Sequence, residues 1–141
     1  MPTTSGNTSP LFAGAADNSW GTTAITSANT AKDGTGTVLL VFTANSADGD
    51  FLQEVRFCSA GTNVASVARI FLNNGSTNAT PANNILIGEI TLSATTISET
   101  SAQPIYVFPV NKLIATTQRI YVTIGTAVAA GYYVSAFGTK Y

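Results

Sequence analysis

From residue 35 onward the chain is a succession of short β-branched and aromatic runs, each closed by Gly, Asn, Asp or Pro. No convincing helical period interrupts them. The runs predict strands over Thr37–Ala44, Phe51–Ser59, Val64–Asn73, Ile85–Leu92, Ile105–Val110, Arg119–Gly125 and Tyr132–Thr139, with a weaker one near Thr22–Thr26. The separators include Asp33-Gly34, Asp48-Gly49, Asn74-Gly75 and Gly125-Thr126, residue types that supply positive φ or bond their own backbone. About eight short, closely spaced strands call for two packed antiparallel sheets or a barrel. The expected fold is all-β: an antiparallel, jelly-roll-like sandwich of about eight strands. With 141 residues, one core is expected.

Residues 1–30 have a different texture, rich in Thr, Ser, Asn, Gly and Ala, with isolated anchors at Leu11, Phe12, Trp20 and Ile25. They read as an extended N-terminal arm ahead of a sandwich domain spanning 31–141.

Alternation sorts the faces of the strands. Ala68, Ile70 and Leu72 are expected inside, because the opposite set contains Arg69 beside Val67 and Phe71. Ile120, Val122 and Ile124 are expected inside opposite Arg119, Tyr121 and Thr123. Leu86, Ile90 and Leu92 are placed inside with Glu89 outside, and Phe51, Val55 and Phe57 share a face opposite Glu54 and Arg56. Val38 to Phe42 is apolar on both faces, so its back is expected to be covered by the arm or by another subunit. Outward Phe71, Tyr121 and Tyr132 would add to a contact surface.

The chemistry is sparse. There is no His, which removes the commonest general base and the usual transition-metal ligand. No nucleophile elbow, phosphate-binding loop or dinucleotide fingerprint occurs. A glycosidase needs only two carboxylates, and Glu54 and Glu89 are the strand-borne candidates. Each has a plainer role: Glu54 lies near Arg56, and Glu89 can pair with Arg69 or Arg119. Asn45-Ser46-Ala47-Asp48-Gly49-Asp50 invites a calcium reading but lacks the bidentate Glu of an EF-hand, and a hairpin turn is the expected structure. The single Cys58 reads as a small buried hydrophobe, and no cofactor or metal is expected. Trp20, Tyr132, Tyr133 and Tyr141 could form a sugar-stacking platform, but a core or seam role is favoured. Charged residues make up only 9%, with a net charge of -1 and no basic cluster, so nucleic acid is not an expected partner. No apolar run reaches bilayer length, and the start lacks a secretory signal, so synthesis in a cytoplasm is expected.

From Val38 onward the order of segments resembles a group of small tailed-phage virion proteins encoded among head genes. The likeness rests on Thr37-Val38-Leu39-Leu40-Val41-Phe42-Thr43-Ala44, Ala68-Arg69-Ile70-Phe71-Leu72-Asn73-Asn74-Gly75, Leu86-Ile87-Gly88-Glu89-Ile90-Thr91-Leu92, Arg119-Ile120-Tyr121-Val122 and the final Val134-Ser135-Ala136-Phe137-Gly138-Thr139-Lys140-Tyr141. It spans roughly the last three-quarters of the chain. The resemblance implies a capsid decoration (cement) protein, not an enzyme, that forms a homotrimer on the outer capsid surface and bridges adjacent major capsid subunits. It supplies no catalytic motif, no small-molecule substrate and no membrane role. Face analysis alone names the contacts: Leu11, Phe12 and Trp20 as arm anchors on the capsid, and Val38, Leu40, Phe42, Phe71, Tyr121 and Tyr132 at the subunit seam. The alternatives are a trimeric head-fibre or tail receptor-binding tip, for which no shaft repeat is visible, and a carbohydrate-binding module.

Overall fold

The computed structural model describes residues 14–141. Eight strands follow one another: β1 (Ala15–Trp20), β2 (Leu39–Thr43), β3 (Asp50–Ser59), β4 (Ser66–Asn73), β5 (Asn84–Leu92), β6 (Ile105–Ile114), β7 (Arg119–Ile124) and β8 (Tyr132–Lys140). They form two antiparallel four-stranded sheets, ordered β1-β8-β3-β6 and β2-β7-β4-β5. Among the described strands only β4 and β5 are joined as a hairpin within one sheet, and every other connection crosses from sheet to sheet. That order is a jelly roll, two interleaved Greek keys.

The core is the layer between the sheets. Leu52, Val55, Phe57, Val134 and Ala136 from one sheet meet Phe42, Ala68, Ile70, Ile120, Val122 and Ile124 from the other. The alternation expected for β4 and β7 holds, since both run straight against each other with no register shift. It fails in β3 and β5, and the facing of β2, which the sequence leaves open, is set in the same way. A β-bulge inserts one residue and reverses the parity of everything beyond it.

In β3 the shift between Leu52 and Glu54 turns Leu52 into the core with Val55 and Phe57, while Phe51 is half-buried. In β5 the shift at Ile87 pairs Leu86 with outward Phe71 and leaves it partly exposed, while Ile87 packs against the core. In β2 the shift at Val41 brings Leu39, Val41 and Phe42 onto the core side and leaves Leu40 outside, 44% exposed. The back of that strand is left open at Leu40 by the described residues of this chain.

The eighth strand lies earlier than the sequence indicates. Ala15–Trp20 pairs with β8 along its whole length, whereas Thr22–Thr26 makes only the single bridge Ile25–Tyr132. Within the described residues the expected arm is thus part of the sandwich. β1 is its edge strand, and the chain after it crosses to the second sheet, where Asn29 N–H donates to Ile124 O at 2.8 Å. β6 runs to Ile114, past Val110, through Asn111 at φ 47°, and its Pro109 is tolerated because β6 is an edge strand.

Candidate functional site

The outer faces of the two sheets are finished differently. Over the β2-β7-β4-β5 sheet, the segment 29–37 is tied down as a strap. Arg69 on β4 donates from Nη1 to Asn29 O at 3.3 Å, and Asn84 donates to Asp33 O at 3.1 Å. Asn78 donates to Gly34 O and Gly36 O at 3.2 and 3.0 Å, and Asn29 closes the strap on itself by donating to Thr35 O and Thr37 O. Asn73 donates to Asn84 Oδ1, which fixes the amide that holds Asp33. Arg69, Phe71 and Asn73 share one face of β4. The strap is anchored through the residues on either side of Phe71, and Phe71 is fully buried.

Among the described residues no such strap lies over the outer face of β1-β8-β3-β6. The core set of β8 is Tyr132, Val134 and Ala136, so Tyr133, Ser135 and Phe137 point outward. Cross-strand registry extends this face in rows: Trp20, Ser135, Arg56 and Val107 in one, Tyr133, Cys58 and Ile105 in the next. Trp20 is 69% exposed, Tyr133 60% and Ile105 55%. Trp20 and Tyr133 are diagonal neighbours on adjacent strands, close enough for large rings to form one surface. In the middle, Arg56 Nη2 lies 2.6 Å from Glu54 Oε1 and its guanidinium sits 5.0 Å from the centre of the Phe137 ring. The stacking holds the guanidinium flat against the sheet.

The side of the sandwich where edge strands β1 and β2 face each other opens into a groove of about 550 Å³, lined in part by Asp17, Trp20, Val38, Leu40 and Phe42. The structure therefore brings four of the expected contact residues together at one place, with Trp20 at the lip between groove and outer face. Phe42 belongs to the core floor and offers little surface.

The remaining expected seam residues are elsewhere. Phe71 and Tyr121 pair across β4 and β7 but are buried, and Tyr132 is a core residue whose hydroxyl is fully enclosed. Burial pushes that phenol above its ordinary range. None of the three can belong to an exposed seam, because this chain's own packing already covers them. Leu11 and Phe12 lie outside the described residues.

Sequence reasoning named Tyr133 only for a sugar-stacking platform, not for a contact surface, and missed Ile105 and Val107. A signal for Tyr133 was present: Ser135 and Thr139 share its parity, and polar residues mark an outward face.

The carboxylates take their plainer roles. Glu54 binds Arg56, and Glu89 Oε1 accepts from Arg69 Nε at 2.7 Å. They stand on the outer faces of opposite sheets, so they cannot flank one glycosidic bond. The segment 45–50 is a tight corner from β2 to β3, with Asn45 Oδ1 accepting from Ala47 N–H and Gly49 at φ 76°. It is not a hairpin, since its two strands belong to different sheets. Among the described residues no three of His, Cys, Asp and Glu gather as a metal site. Cys58, half-buried on the outer face, accepts a contact from Gln103 Nε2 at 3.2 Å.

Compared with known proteins, the chain matches no family model, no curated protein and no solved structure.

Proposed function

We propose that this chain is a structural docking protein, without enzymatic activity, that decorates a bacteriophage capsid. It would bind major capsid subunits through the outer face of β1-β8-β3-β6. The observation that carries the docking is the composition of that face: an exposed Trp, an exposed Tyr and a stacked Arg beside Ile105 and Val107, on a surface that no strap covers among the described residues. Trp, Tyr and Arg are the residues that dominate protein–protein binding energy, and contiguous exposed apolar surface marks a partner site. The capsid as partner rests on the likeness of segment order to small head-gene virion proteins. In this reading the β1–β2 groove is the seam of a homotrimer, and each trimer staples neighbouring capsid subunits on the outside of the virion. Many weak sites then add through multivalency.

Light scattering behind size exclusion, followed by cosedimentation with empty capsids from the same source, tests this reading. A trimer that saturates capsids at a fixed ratio is expected. A monomer that leaves capsids unbound would sink it.

One observation favours a second reading, a glycan-binding module: Trp20 and Tyr133 lie on one exposed plane, with Ser135 directly across from Trp20. Quenching or shift of the single Trp's fluorescence by oligosaccharides, with no binding to capsids, would select it.

A further inference from the structure

We propose that Asn74 is a self-modification site, deamidated by attack of the Gly75 backbone nitrogen on its side-chain amide, and that buried Asn73 sets the rate. Asn74 is the only Asn in the chain that is followed by Gly, and it is exposed where the chain leaves β4. The turn itself demands that pair. Gly75 has φ 97°, and a Cβ there would stand 2.9 Å from Thr117 O. The fold therefore keeps next to Asn74 a nitrogen with no side chain to hinder its approach to the amide carbon.

Two hydrogen bonds act on the reacting groups in opposite directions. Asn74 Oδ1 accepts the Ser76 N–H at 3.1 Å, which curls the amide back over the Gly75 peptide. The same N–H draws charge from the amide carbonyl and stabilises the oxyanion that forms on attack. Gly75 N–H, in contrast, donates to Asn73 Oδ1 at 2.8 Å, and Asn73 is fully buried. The nitrogen must give up that proton before it attacks, so the Asn73 carbonyl shields it from base. Ser76 activates the electrophile and Asn73 restrains the nucleophile.

The step needs only water. Solvent hydroxide takes the Gly75 N–H proton, the nitrogen bonds to Asn74 Cγ, and the Cγ–Nδ2 bond breaks. Nδ2 takes a proton from water and leaves as ammonia. One water then opens the cyclic imide at either carbonyl, giving Asp or isoaspartate.

The product loosens the loop that holds the strap. Asn74 Nδ2 donates to Asn83 Oδ1 at 3.1 Å, while Asn83 Nδ2 is already bound to Thr77 O at 2.8 Å. A carboxylate at position 74 sets two acceptors against each other, and isoaspartate also lengthens the backbone beside the Asn74 N–H to Asn83 O bond. The same loop carries Asn78, whose amide holds Gly34 O and Gly36 O. The modification lies on the strap side of the sandwich and does not depend on what the outer face of β1-β8-β3-β6 binds, so its failure leaves the docking reading untouched.

The test is incubation of the folded full chain at pH 8, beside the same chain in denaturant, with peptide mapping and an isoaspartate-specific methyltransferase to locate the products. Asn74 is expected to be the first asparagine converted in the folded chain, at least about tenfold more slowly than in the denatured one. Asn73→Ala is expected to bring the folded rate towards the denatured rate. If that variant does not fold, hydrogen exchange of the wild-type Gly75 amide carries the test, with a protection that matches the slowing of deamidation. Another asparagine converting first, or no conversion of Asn74 in the folded chain, would overturn the site. Equal folded and denatured rates, an Asn73→Ala rate like wild type, or an unprotected Gly75 amide would overturn the control by Asn73. Asn74→Asp is expected to be cleaved faster than wild type within 29–37 by limited proteolysis, and equal cleavage would overturn the link to the strap.

Discussion

The two outer faces of this sandwich begin with the same problem, large side chains pointing away from the core, and end in opposite states. On β2-β7-β4-β5 the chain folds its own 29–37 strap onto the sheet, and Phe71 and Tyr121 are buried. On β1-β8-β3-β6 nothing comparable is tied down among the described residues, and Trp20, Tyr133 and Ile105 are exposed. Aromatic residues of similar size therefore do different work. Phe71 and Tyr121 are buried within the fold, and Trp20 and Tyr133 stay exposed among the described residues. An outward position on a strand does not by itself make a contact residue; what matters is whether the same chain returns to cover it.

The largest expected effect is on stability. Phe71→Ala should cost about 3–5 kcal/mol by denaturant unfolding, because it opens a cavity under the strap. Tyr133→Ala should change stability by no more than about 0.5 kcal/mol. Equal losses would erase the distinction between the faces.

A smaller effect isolates the strap itself. Asn84 donates to Asp33 O and Asn78 O, so Asn84→Ala should cost about 1–3 kcal/mol and raise proteolytic cleavage within 29–37. An uncleaved strap would show that other contacts suffice to hold it.

The smallest concerns the edge of the open sheet. Asp50 binds its proton more tightly folded than unfolded, since burial raises its pKa from the ordinary 3.8. The stability it contributes is complete below that value and is lost as pH rises through the folded pKa. Asp50→Asn should match wild type near pH 4 and exceed it by about 1 kcal/mol at pH 8 in thermal unfolding.

Much of the architecture was legible in the sequence. β-branched runs and Gly/Asn/Asp separators located seven strands and the sandwich, and straight alternation assigned β4 and β7 correctly. The three bulges were not legible, because a bulge is fixed by pairing with a distant strand and leaves no local mark. They moved Leu52 into the core, Leu86 out of it, and both Val41 and Phe42 inward. β1 was missed for another reason. Ala15-Ala16-Asp17-Asn18-Ser19-Trp20 is an edge strand with little buried surface, so it carries no apolar alternation.

The candidate site was legible only in part. Trp20, Val38 and Leu40 were named and converge at the β1–β2 groove. Tyr132 was named for the seam in place of Tyr133, against the parity set by Ser135 and Thr139. Phe71 and Tyr121 were assigned outward correctly, but both are buried within the chain, and the strap anchored on either side of Phe71 is held by long-range asparagine hydrogen bonds that no local pattern announces.

The most direct test of the docking face is capsid binding by the double variant Trp20→Ala, Tyr133→Ala, measured by cosedimentation beside Phe71→Leu as a fold-matched control. Loss of at least about 30-fold in affinity, corresponding to about 2 kcal/mol at a hot spot, is expected for the double variant, with its unfolding transition unchanged. Wild-type affinity in a folded double variant would contradict the assignment of β1-β8-β3-β6 as the docking face.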